Sequence, residues 1–179
     1  MTPAIFITAV RSVLSDSLGS DCNVSAADDE FTAMEVLTGA APQRVRVVII
    51  CGELTAVEGD GMGMVCRLST RVVVQVARGL SINATAAAQL KLLEAEETAR
   101  RWVLSLMFHQ EGTDPPDRDM LAKGQGLHPH VGQFEHQGSG AYQGPYADIA
   151  LEHPAREIRF SNLIALESPV KATHVPLPL

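Results

Sequence analysis

Four things are scarce in this chain, and each scarcity excludes something. Basic residues form no run: 14 Lys and Arg stand against 21 Asp and Glu, for a formal charge of −7 at pH 7. A protein that grips nucleic acid draws its affinity from Lys and Arg neutralising phosphates, so a free-standing nucleic-acid binder is excluded. Cysteine is limited to Cys22, Cys51 and Cys66, an odd number with no C-x-x-C pair. Cys51 and Cys66 sit inside apolar runs, where a free thiol behaves as a small hydrophobe. A reduced intracellular setting is favoured over a secreted disulfide scaffold. No apolar run approaches the ~20 residues of a membrane-spanning helix. The opening "MTPAIFITAVRSVL" has no basic residue ahead of its apolar stretch and an Arg within it, a poor signal peptide. A soluble chain is expected. Aromatics make up only 4% of residues, so the core must rest on Val, Leu, Ile, Ala and Met. With 46% hydrophobic residues, material for such a core is present. A length of 179 residues favours a single domain.

The periodicity of what is present assigns elements. Ile5, Phe6, Ala9, Val10, Val13, Leu14 and Leu18 recur at helical spacing after Pro3, predicting a helix over 3–18 that Gly19 stops. The polar "SDCNVSAADDE" leads to a short helix from about Glu30 to Leu37. "RVRVVIICGEL" (44–54) reads as a strand buried in its middle. The Gly- and Asp-rich "TAVEGDGMG" connects it to a longer strand over 64–78. There Val72, Val74 and Val76 share one face, and Arg71, Val73, Gln75 and Ala77 the other. The two strands read as an antiparallel hairpin. A helix follows over about 84–108, with Ala88, Leu92, Ala95, Ala99, Trp102, Val103 and Leu106 as its apolar stripe. From His109 to about Tyr146 periodicity fails, predicting a long irregular loop. "YADIALE", "REIRFSNLIAL" and "THVPLPL" return to strand character. The expected fold is α+β: one domain over 1–179, a mostly antiparallel sheet with helices on one face, and an extended loop at about 109–146.

Several stretches invite chemistry. "GLHPHVGQFEHQGSG" brings His128, His130 and His136 near Glu135, the residue types of a zinc site. Rigid ligands with oriented imidazoles are needed there, and glycines flank this stretch with few apolar residues to lock it. A mobile or interface loop is the better reading, and no metal or other cofactor is expected. Gly59-Asp60-Gly61-Met62-Gly63 follows an apolar strand, but a strand comes next where a dinucleotide fingerprint needs a helix. A hairpin turn is expected. Glu111, Asp114, Asp117 and Asp119 lack EF-hand spacing. Arg100 and Arg101 beside Trp102 are set to pair with Glu96 and Glu97 at i, i+4 rather than with a phosphate. There is no G-x-S-x-G elbow. No catalytic constellation emerges, and the chain is not expected to be an enzyme.

An N-terminal amphipathic helix, a hairpin ending in "STRVVVQVARG", a helix "LLEAEETARRWVLSL" and a closing "IRFSNLIALES…THVPLPL" together resemble the tail terminator (tail completion, minor tail) proteins of long-tailed bacteriophages. The resemblance covers most of the chain outside 109–146 and rests on element order, since that family has no invariant catalytic motif. It implies a structural virion protein, assembled in the host cytoplasm and placed at the head-proximal end of the tail. Its small α+β subunits form a ring, commonly of six, that caps the tail tube and joins it to the head connector. The implied partners are further copies of the chain, the tail tube protein and the head connector, with DNA passing through unread and no membrane. An acidic subunit suits a lumen that does not grip DNA. A neighbouring neck or head–tail connector ring protein is the alternative of the same class. A metal-dependent hydrolase built on His128, His130 and His136 is the alternative of another class. Within the ring reading, the long loop is a docking arm that orders against a neighbouring subunit. Its anchors are Met120, Leu121, Leu127, Val131, Phe134, Tyr142 and Tyr146.

Overall fold

The computed structural model describes residues 3–43, 45–59, 63–79, 81–105, 131–145 and 151–167. The elements are α1 (Pro3–Leu18), β1 (Cys22–Ala27), α2 (Glu30–Thr38), β2 (Val45–Gly59), β3 (Gly63–Gln75), α3 (Ile82–Ser105), β4 (Val131–Ala141) and β5 (Ala155–Glu167). The five strands form one sheet in the order β1-β2-β3-β5-β4. Three of its pairings are antiparallel, and β1 runs parallel to β2. The α+β class read from the sequence is the class of the protein. No helix among the described residues is long and apolar enough to cross a membrane.

The sheet's alternation decides where everything packs. Val47 and Ile49 of β2, Leu68, Val72 and Val74 of β3, and Ile158, Phe160 and Ile164 of β5 point to one face and are buried. Ile7, Val10 and Leu14 of α1 and Leu92 and Ala99 of α3 close over them. Each such side chain removed from water contributes ~1.5–3 kcal/mol, so this layer is the main source of stability. The stripe read on α3 is correct as far as Ala99; the side chains of Trp102 and Val103, and all of Leu106, lie outside the described residues.

On the opposite face, Val48, Ile50 and Val73 pack against Ala33, Met34 and Leu37 of α2. The expectation that the helices share one face therefore holds for α1 and α3, while α2 lies across the sheet. The reason is topological. Parallel strands need a crossover between them, and α2 is the crossover between β1 and β2. Strand β1 falls in a stretch read as merely polar. It is a short edge strand carrying Asn23 and Ser25, held by pairing from Cys22↔Val45 to Ala27↔Ile50.

Two further boundaries differ from the reading of the sequence. Strand β2 continues through residues 55–59, where the sequence reading expects the connection, with bulges between Cys51 and Leu54 and between Ala56 and Glu58. At the first bulge Gly52 lies so close to β3 that an added Cβ would stand 2.9 Å from the Ser69 carbonyl. The expected loop at 109–146 contains β4, which pairs antiparallel with β5 from Val131↔Ile164 to Ala141↔Arg156. Of the expected strand "YADIALE", residues 146–150 lie outside the described residues, and Leu151 and Glu152 are not in a strand; "THVPLPL" lies wholly outside.

Candidate functional site

The part of the α2 face that the helix leaves uncovered carries a group of charged side chains. Alternation puts Arg67, Ser69, Arg71 and Val73 of β3 on this face, beside Glu157, Arg159 and Ser161 of β5. Arg71 lies directly opposite Arg159 across the ladder, an arrangement that costs energy unless an anion intervenes. Glu157 supplies it, with a carboxylate oxygen 3.9 Å from Arg71 and another 3.6 Å from Arg159. Glu30, at the first turn of α2, forms a second ion pair with Arg71 and accepts a 2.6 Å hydrogen bond from the Tyr142 hydroxyl. Further along the same face, Arg67 donates to Glu135 of β4 at 2.8 Å and to Ser161 at 3.2 Å.

The chemistry open to this group is limited by its pairing. Glu30, Glu135 and Glu157 are each engaged by an arginine in an ion pair. Ser161 is fully buried. Burial pushes the Tyr142 hydroxyl above its usual range, so it remains a protonated donor. The cluster tethers α2 and the β4–β5 edge to the sheet; it supplies no activated nucleophile.

The histidine-rich stretch is divided by the strand. Glu135 opposes Ser161 on the charged face, whereas His136 opposes Phe160 on the other. The His136 ring lies 5.7 Å from that of Phe160, and its Nε2 is 3.0 Å from the Ser139 hydroxyl. Glu135 and His136 therefore lie on opposite faces of β4 and do not converge. His128 and His130 lie outside the described residues. Among the described residues, no group of three or more His, Cys, Asp and Glu is placed to hold a metal ion.

Three anchors of the expected docking arm lie among the described residues. Val131 and Phe134 are strand residues, in register with Ile164 and Asn162. Tyr142 is 6% exposed and packs with Met34, Leu37 and Ala155 of its own chain, so it anchors the fold rather than a neighbour. Met120, Leu121, Leu127 and Tyr146 lie outside the described residues. The pairing expected on α3 is half present. Glu97 holds both Arg100 and Arg101, while Glu96 turns inward, buried, to Arg156 of β5.

Surface features that reading by core stripe passes over are the exposed apolar side chains. Leu90 and Leu93 stand off the Ala88–Leu92–Ala95–Ala99 stripe of α3 and face solvent, as do Ile82 at its start and Leu54, Val57 and Met64 near the hairpin's far end. Their signal was present in the spacing, since Leu90 and Leu93 follow Ile82 and Ala86 at intervals of four, four and three. A comparison with protein-family models and with curated proteins finds no match to this chain.

Proposed function

We propose that this chain is a ring-forming tail terminator of a long-tailed bacteriophage, a structural subunit that caps the tail tube and meets the head connector. The observation that supports it is the element order. An amphipathic α1, the long β2–β3 hairpin, α3 and the closing β5 belong to one α+β sheet domain, and these are the elements on which the resemblance rests. Two other properties accord with the reading. The charge of −7 suits a passage that DNA traverses without adhering. The polar cluster is engaged in ion pairs that fasten elements together, as a load-transmitting subunit requires. Its site of action would be the head-proximal end of the virion tail, and its role would be assembly rather than catalysis.

Electron microscopy of the purified full chain tests this directly. Rings with a central opening are expected. A compact monomer at every concentration, or stoichiometric zinc in the purified protein, would overturn the reading. In a phage lacking the protein, tails of abnormal length and unjoined heads are expected, and restoring the chain should correct both.

A further inference from the structure

We draw no further inference here: the strongest candidate, the pair of buried side chains Thr70 and Asn162 on the sheet face beneath α1 and α3, whose Oγ1 and Oδ1 atoms have no hydrogen-bond partner, carries no proposal, because nothing in the structure shows what the pair would bind.

Discussion

The two faces of one sheet solve different problems. Under α1 and α3 the contacts are aliphatic, with Val72 opposite Ile158 and both fully buried. Under and beside α2 they are largely polar. Arg46 donates to the carbonyls of Val36 and Ala40, each at 2.6 Å, and to Gln75 Oε1 at 2.9 Å. Gln75, fully buried, donates in turn to the Leu37 carbonyl at 3.0 Å. The Val36 and Leu37 carbonyls are orphan acceptors at the end of a nine-residue helix, and Ala40 lies just past its C-cap. To the packing of Ala33, Met34 and Leu37 α2 adds these hydrogen bonds, whereas α1 and α3 rest chiefly on volume, the Glu96–Arg156 ion pair being the exception. The difference predicts that damage on one face scales with lost volume, and on the other with polar atoms left unpaired.

The largest expected effect is on the aliphatic face. Phe160 is 1% exposed and is the largest of the fully buried side chains among the described residues. Phe160→Ala should cost about 3–5 kcal/mol of unfolding free energy, from lost transfer and the cavity left behind. Urea denaturation of the variant measures it. A loss below about 1 kcal/mol would mean that the layer under α1 and α3 is not the main core, and the contrast between faces would collapse.

Next in size is Arg46→Met, which keeps the aliphatic stem but removes the guanidinium. A hydrogen bond to a charged group is worth about 1.5–3 kcal/mol, and the partners here would be left unpaired. The loss should be local: amide hydrogen exchange should accelerate in α2 before it does in β3 or β5. Uniform acceleration across the sheet would show that the two faces are not separately fastened.

That contrast also explains what the sequence made legible. Wherever burial follows volume, periodicity reports it. Val72 and Val74 against Arg71 and Gln75, and Ala88, Leu92, Ala95 and Ala99 on α3, are placed correctly from spacing alone. Wherever an element is held by pairing or by polar partners, spacing is silent. Strand β4, "VGQFEHQGSGA", has three glycines and little alternation, and exists because β5 offers it a ladder. Strand β1 is read through Asn23 and Ser25 as a polar linker for the same reason. Tyr142 has the residue type of an interface anchor, yet Glu30, 112 positions away, decides its role. Glu96 looks like a surface partner of Arg100 until β5 brings Arg156 to it. Long-range partners of single polar residues leave no periodic trace.

A smaller effect sharpens the comparison on the polar face through pH. Burial raises the Tyr142 hydroxyl's proton affinity above that of an exposed tyrosine. A group with a raised folded pKa contributes stability that is present below the unfolded value and lost as pH rises through the folded one. Wild-type stability should therefore fall as the solution becomes alkaline past the ordinary tyrosine range. Tyr142→Phe should cost about 1 kcal/mol at neutral pH, the typical worth of one hydrogen bond, and should flatten that alkaline decline. Thermal melts of both proteins across this range check it. If the decline is unchanged in Tyr142→Phe, another group carries it.

The smallest expected effect lies at the exposed start of α2, where neither volume nor burial contributes. Asp29 is the N-cap, its carboxylate accepting from the Thr32 amide at 2.7 Å, and that bond lowers its pKa. The neighbouring Asp28 accepts from the Thr32 hydroxyl at 3.0 Å, so part of the first turn stays fastened without Asp29. A depressed folded pKa contributes stability that is present above the ordinary carboxylate range and lost as pH falls through the folded value. Asp29→Ala should lower the melting temperature slightly at neutral pH, with the gap to wild type closing in acid. Asp29→Asn keeps an acceptor suited to capping and loses only the charge that favours a helix N-terminus. Its melting temperature at neutral pH should lie between the other two. An Asn variant no better than Ala would assign the contribution to charge alone, and one equal to wild type would assign it to the hydrogen bond. A gap between Asp29→Ala and wild type that persists undiminished at low pH would show that the Thr32 amide is not what holds the Asp29 proton off.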